Sequence, residues 1–120
     1  MNKRAVGSFY EEQAAKYLEE KGYRILERNF HAGKIGEIDI IAKSADGYLT
    51  FIECKYRENT EKGDPLDTID YRKQRQICKA ALYYMKRKGF SLETPCRFDV
   101  IAYYGDGAMH HITDAFSFFL

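Results

Sequence analysis

The sequence predicts an α/β domain in which one mixed β-sheet is flanked by helices, in the order α-β-β-β-α-β-β. Three observations lead to this prediction. Two segments carry apolar residues at helical spacing, and each is followed by a glycine suited to a left-handed cap. Five shorter segments are rich in β-branched and aromatic residues. The second helical segment separates the third and fourth strand-like segments, a crossover that pairs those two strands in parallel.

Length and composition indicate an ordinary folded protein. The 120 residues correspond to a single domain, 1–120, and the apolar and charged fractions of 45% and 31% argue against disorder. No apolar run approaches the length of a membrane span and no signal peptide is recognisable, so no membrane partner is expected. Cys54, Cys78 and Cys96 are odd in number and widely spaced, which argues against a disulfide framework or a zinc cluster and favours the reducing cytoplasm.

The first half of the chain contains one helix and three strands. The helix is predicted at 6–21, because apolar residues recur at steps of three and four, and Gly22 ends it. A strand with alternating apolar and polar residues follows at 23–30. Two apolar runs at 38–42 and 48–52 then form a hairpin around a turn that contains Asp46-Gly47.

The second half begins with a polar segment, 58–70, that Gly63 and Pro65 interrupt, and an exposed loop is expected there. Asp70 is suited to cap a helix at 71–88, which Gly89 ends. Strands follow at 97–104 and 109–113. The apolar tail 114–120 closes the chain, and a short helix packed on the sheet is one expectation for it.

Charged residues lie where buried strands would exclude them. Glu37 and Asp39 belong to the first strand of the hairpin, and Glu53 and Lys55 follow its second strand. Because alternate residues of a strand share a face, Glu53 and Lys55 project together. The hairpin brings Asp39 near Glu53, whereas Glu37 lies at the rim. Two carboxylates in a partly buried place repel one another, and a hard divalent cation such as Mg²⁺ or Mn²⁺ relieves that repulsion.

A lysine beside such a pair is chemically suited to phosphodiester hydrolysis. Lys55 can orient the attacking water and offset the negative charge that develops on the phosphate. The alternative is purely structural: Glu53 and Lys55 form an ion pair, and Asp39 pairs with Arg57 or Arg97. An acid–apolar–lysine triplet is too common to decide between the two readings.

Five segments of the chain, in order, resemble the YraN family of small bacterial proteins. They read GSFYEEQAAKYLEEKGYRIL, GEIDIIA, FIECKYR, RFDVIAYY and HHITDAF. That family resembles the restriction-endonuclease-like nucleases, and particularly the archaeal Holliday-junction resolvases. The resemblance therefore implies a single-domain restriction-endonuclease-like fold, a magnesium-dependent nuclease activity on DNA, and a homodimer with the apolar tail as a candidate interface.

The resemblance also implies roles for individual residues. Those nucleases share a first-helix glutamate and a D…(E/D)xK motif, which match Glu11, Asp39, Glu53 and Lys55 here. The three acids would hold the metal and Lys55 would assist catalysis. For Glu11 an alternative stays open, because Ser8 to Glu11 has the S-x-x-E pattern of a capping box. The neighbouring Glu12 is a second candidate for the acid of the first helix.

The second helix carries seven lysines or arginines and no acid, in a chain whose net charge is only +1. Such clusters are typical of surfaces that bind phosphate backbones, although a solvated outer face is the alternative. The residues predicted to contact nucleic acid are Arg57, Arg72, Lys73, Arg75 and Lys79. Asp99, on the neighbouring strand, is expected either near the site or paired with Arg97.

These observations lead to one main function and two alternatives. The main hypothesis is a cytoplasmic, Mg²⁺- or Mn²⁺-dependent endonuclease that acts on DNA, with branched or structured DNA as one kind of substrate. The first alternative is a nucleic-acid-binding module that kept the fold without cleaving. The second is an RNA-directed nuclease, because nothing in the sequence separates DNA from RNA.

Overall fold

The computed structural model describes residues 2–59 and 69–120. It contains two helices, α1 (Lys3–Glu20) and α2 (Tyr71–Lys88), and five strands. The strands are β1 (Arg24–His31), β2 (Glu37–Lys43), β3 (Leu49–Arg57), β4 (Cys96–Tyr104) and β5 (Met109–Phe116). The loop predicted at 58–70 lies mostly outside the described residues.

The five strands form one sheet in the order β1-β2-β3-β4-β5. Only β3 and β4 pair in parallel, and the other neighbouring strands are antiparallel. This arrangement follows from the connections, because α2 makes the crossover between β3 and β4 while the other connections are short. The predicted α/β class, the element order and the parallel pair are therefore confirmed.

The two helices cover opposite faces of the sheet. Phe51 packs with the α2 residues Ile77, Ala81 and Tyr84 in one apolar cluster, and the adjacent Ile52 packs with Ala14 and Leu18 of α1 in another. Neighbouring strand residues point to opposite faces, so the two clusters are the two layers of the core. No helix among residues 2–59 and 69–120 is long and apolar enough to cross a membrane.

The helix ends decide two of the predictions. In α2 the Asp70 side chain accepts a hydrogen bond from the backbone N–H of Lys73 at 2.9 Å, and Gly89 is left-handed with φ of 76°, as predicted. In α1 the cap is Asn2, whose side chain accepts from the N–H of Ala5 at 2.8 Å. The capping-box alternative for Glu11 is thus wrong, because Glu11 lies well inside the helix.

The end of the chain differs from the prediction. Strand β5 continues to Phe116, three residues beyond the predicted end, and residues 117–120 form no helix. The strand is carried past residue 113 by an irregularity in the pairing with β4: Asp114 adopts a left-handed φ of 53°, and pairing resumes between Phe116 and Phe98. The short terminal helix was therefore a wrong prediction.

Candidate active site

The acids of the hairpin meet where β2 and β3 separate. The pairing of the two strands runs from Lys43–Leu49 to Ile40–Ile52, and Asp39 and Glu53 occupy the next position on each strand. In this position the Asp39 carboxylate replaces a backbone acceptor: its Oδ2 receives the N–H of Cys54 at 2.9 Å. That bond fixes Asp39 beside the start of the Glu53–Lys55 segment.

The strand that carries Asp39 is irregular at this residue. Regular alternation would send Ile38 and Ile40 to the same face of the sheet. Ile38 instead packs in the α2 cluster and Ile40 in the α1 cluster, so the alternation is interrupted between them. Asp39 therefore lies at the end of the β2–β3 pairing, where side chains from both α1 and α2 can approach it.

Glu53 is a buried acid with two lysine neighbours. Its residue is 6% exposed, while its Oε1 lies 3.5 Å from Nζ of Lys55 and 3.8 Å from Nζ of Lys73. The ion pair between Glu53 and Lys55 that the structural alternative required is therefore present. The other half of that alternative fails: in the described part of the chain Asp39 forms no ion pair with an arginine, since Arg57 donates to the Tyr56 carbonyl.

Burial and their mutual repulsion disfavour the charged forms of Asp39 and Glu53. Burial and the neighbouring Asp39 carboxylate raise the pKa of Glu53 to about 7, although Lys73 and Lys55 oppose the shift. Burial also raises the pKa of Asp39, against the hydrogen bond from Cys54. The two lysines thus do not compensate fully for placing two carboxylates together in a poorly solvated position.

The two candidate acids of the first helix, Glu11 and Glu12, have different surroundings. Glu12 is engaged in an ion pair with Arg28, with 2.7 Å between Oε2 and Nη1. Glu11 is half-buried, and its pKa is raised by burial and by the charge of Asp39, which places it on the site's side of α1. Glu37 is exposed and pairs with His31 at 3.4 Å, in agreement with its predicted place at the rim.

The acids of the site fit magnesium or manganese better than a metal ion that takes all its ligands from the protein. Within residues 2–59 and 69–120, no group of three His, Cys, Asp or Glu side chains is arranged to hold a metal ion. The site offers two carboxylates, Asp39 and Glu53, in a position where their negative charges repel. Mg²⁺ in phosphate-processing sites is commonly held by one or two carboxylates together with waters and substrate phosphates. The pair therefore fits such an ion, with Glu11 as a further acid from α1.

A cationic cleft lies next to the acids. It has a volume of about 510 Å³ and is lined by the cations predicted on α2, together with one that the sequence did not single out. These residues are Arg72, Lys73, Arg75, Lys79 and Lys34. The predicted Arg57 does not line the cleft. Lys34 was missed because it is a lone cation in a glycine-containing loop, and its spacing carries no sign of which helix it faces.

Asp99 belongs to a separate buried network. Its carboxylate, fully shielded from solvent, accepts from Nε of Arg97 at 3.0 Å, lies 2.8 Å from Nε2 of His111 and accepts the N–H of Asp114 at 3.1 Å. Nδ1 of His111 in turn lies 2.9 Å from the Tyr17 hydroxyl. Burial alone would raise the pKa of Asp99, but the bonds from His111 and Arg97 hold it below its ordinary value.

This network lies on the other face of the sheet from the acidic pair. In the parallel pairing Asp99 is opposite Ile52, which faces α1, whereas Glu53 shares the face of Phe51 and α2. The pairing of Asp99 with Arg97, one of the two expectations, is thus confirmed. The participation of His111 and Tyr17 was missed, since no sequence spacing links residues on α1 and β5.

The fold and the site together define an α/β protein with an acidic pair and a lysine at one end of a mixed sheet. The model of the family described as "Uncharacterised protein family UPF0102" matches residues 10–103, and the chain belongs to this family. This confirms the resemblance to the YraN family.

The relatives cover most of the chain. A UPF0102 protein of Lachnoclostridium phytofermentans is 50% identical over 101 residues, which are 84% of either chain. A UPF0102 protein of Clostridioides difficile is 42% identical over 117 residues, 97% of this chain and 100% of the relative. A third, from Caldanaerobacter subterraneus, is 44% identical over 104 residues, 87% of this chain and 83% of the relative.

Proposed function

We propose that this protein is a divalent-metal-dependent endonuclease that hydrolyses phosphodiester bonds in DNA. The observation that carries the proposal is the pair of carboxylates formed by the half-buried Asp39 and the buried Glu53, with Lys55 3.5 Å from Glu53. An ion pair made only for stability needs one acid and one base. A second carboxylate in the same poorly solvated place costs free energy, and a cation bound between substrate and protein would recover it.

The side chains have distinct roles in this proposal. Asp39 and Glu53 hold Mg²⁺ or Mn²⁺, and Glu11 contributes a further acid from α1. When bound, the ion would activate water and polarise a phosphate oxygen. Lys55 is fixed by its ion pair to Glu53, so its ammonium is positioned to orient the attacking water and to offset charge that develops on the phosphate. Cys54 fixes Asp39 through its backbone N–H.

The partner is DNA, whose phosphate backbone is bound by Arg57 at the end of β3 and by the cations in the first half of α2, namely Arg72, Lys73, Arg75 and Lys79. The three cysteines form no disulfide in the described residues, which supports a cytoplasmic location. A homodimer is part of the proposal, because cleavage of two strands requires two sites. Phe118 and Leu120, which are 51% and 60% exposed near the end of the chain, are the candidate contacts.

The test compares the wild-type protein with Asp39→Asn and Lys55→Ala on branched, flapped, duplex and single-stranded DNA and on RNA. With Mg²⁺ or Mn²⁺, the wild type should cut at least one DNA, and Lys55→Ala should be slower by about 10²–10⁴-fold, the usual contribution of a positioned acid or base. Asp39→Asn should lose activity and metal-dependent stabilisation together. The matched control is Glu20→Gln, which neutralises an exposed carboxylate in the last turn of α1.

The outcomes separate the three hypotheses. The nuclease proposal fails if the wild type cuts nothing, or if the two variants cut as fast as the wild type. Binding of the same DNAs without cleavage would identify the non-catalytic binding module. Cleavage confined to the RNA substrates would identify the RNA-directed nuclease.

A further inference from the structure

The cationic cleft is formed by two separate parts of the chain. One wall is the first half of α2, with Arg75 and Lys79, and the other is the loop between β1 and β2, with Lys34 and Ile35. Among the residues that the structure describes, five cations line the cleft together with one carboxylate, that of Asp70. This carboxylate accepts the N–H of Lys73 as the cap of α2, and its single negative charge leaves the five cations in excess.

The loop between β1 and β2 approaches α2 closely at Gly36. Gly36 has a φ of 150°, and a Cβ at this position would lie 2.8 Å from Cγ of Gln76 on α2. The loop itself is closed by bonds from the N–H of Ala32 to the carbonyl of Gly36 at 2.8 Å and from Ile35 to Ala32 at 3.0 Å. A side chain at this position would have to displace Gln76, which lines the cleft.

The cleft opens beside the acidic pair. Lys73 lines the cleft, and its Nζ lies 3.8 Å from Oε1 of Glu53. A phosphate held by the neighbouring cations would therefore lie near Lys73, which in turn contacts Glu53. A strand whose phosphates follow the cleft would consequently pass next to the acidic pair.

From these observations we infer that the cleft binds the sugar–phosphate backbone of one unpaired DNA strand, with Lys34 closing it opposite α2. The inference rests on the proposed function for its choice of DNA. A volume of about 510 Å³ lies within the range of ligand pockets, so the cleft admits a short stretch of one strand. Ile35, 38% exposed, adds an apolar side chain against which a base can lie.

The experiment measures binding in EDTA by fluorescence anisotropy, so that it does not depend on cleavage. The probes are a blunt duplex, the same duplex with an unpaired flap, and the flap strand alone. The variants are Lys34→Ala and Lys79→Ala in the cleft, Lys34→Arg as the charge-conserving variant, and Lys86→Ala as a control. Lys86 is exposed on the same helix and lies outside the cleft.

The inference predicts tighter binding of the flapped duplex and the single strand than of the blunt duplex. Each lost contact to a single strand should reduce the slope of log K against log salt by about 0.7. If wild type and variant bind equally at 1 M salt, this change of slope makes the variant bind about eightfold more weakly at 50 mM salt. Lys34→Ala and Lys79→Ala should each show this loss, while Lys34→Arg and Lys86→Ala should bind like the wild type. Thermal unfolding of each variant shows that the change is not one of folding.

Two results would overturn the inference. One is equal or tighter binding of the blunt duplex, which assigns the cations to a duplex surface. The other is a loss for Lys86→Ala as large as for Lys34→Ala, which makes the effect one of net charge alone. A protein that binds flaps in EDTA through Lys34 but cuts nothing with Mg²⁺ would refute the nuclease and leave the cleft assignment intact.

Discussion

Neutralising Glu53 should make the metal-free protein more stable at alkaline pH. In the folded chain the pKa of Glu53 is raised from its ordinary 4.5 to about 7, so the folded state binds this proton more tightly than the unfolded state. Stability must then fall as the pH rises from 4.5 through about 7. At about 1.4 kcal/mol per unit of pKa, the loss at pH 8 is about 3 kcal/mol. Glu53→Gln imitates the protonated acid and should recover that amount.

The assay is urea unfolding of the wild type and Glu53→Gln in EDTA at several pH values from 4 to 8. The free energies of unfolding should be similar at pH 4 and should differ in favour of Glu53→Gln at pH 8. Glu12→Gln is the control with the opposite sign, because its ion pair with Arg28 lowers the pKa of Glu12 and its neutralisation removes stability at neutral pH. The reasoning is refuted if Glu53→Gln is less stable than the wild type at pH 8, or if the difference does not change with pH.

Two further predictions concern the network and the first helix. Asp99→Asn should lower the free energy of unfolding by about 1.5–3 kcal/mol, because it removes the buried carboxylate that contacts Arg97 and His111 and leaves Arg97 with the exposed Asp46, 3.7 Å away; a loss below 1 kcal/mol in urea unfolding would contradict this. Glu11→Gln should lower the affinity for Mg²⁺ about 10-fold or more, because it removes an acid proposed to support the metal site; a Mg²⁺ titration followed by thermal shift, compared with Glu20→Gln, measures this. Equal shifts for both would remove Glu11 from the site.

The fold was predictable because local signals agree with tertiary structure. The helix α2 was predicted with its observed bounds, since Asp70 and Gly89 mark both ends chemically. Where the signal was misleading, a second feature competed: Ser8 and Glu11 have the pattern of a cap, but Asn2 caps the helix earlier. The end of β5 could not be predicted, because it depends on a left-handed Asp114 whose N–H is bonded to Asp99 on another strand.

The site was predictable only where residues lie close in sequence or on one hairpin. Asp39, Glu53 and Lys55 belong to such a unit, because the register of a hairpin follows from its turn. Lys73 was predicted to contact nucleic acid, but its approach to Glu53 depends on how α2 docks on the sheet. Lys34 depends in addition on the contact between Gly36 and Gln76. Neither distance is encoded in spacing along the chain.

Neutralising the central acid should change the stability of the fold in opposite directions in the two charged clusters, one around Asp99 and one around Glu53. Around Asp99, hydrogen bonds and Arg97 hold the pKa of the acid below its ordinary value, so its charge stabilises the fold. Around Glu53, burial and Asp39 raise the pKa, so its charge destabilises the fold, and the proposed cation would offset this effect. Stability alone would select the first arrangement and remove the second. Opposite signs of the stability changes in Asp99→Asn and Glu53→Gln would demonstrate this difference, and the proposed metal site is our explanation for an acid whose charge lowers stability.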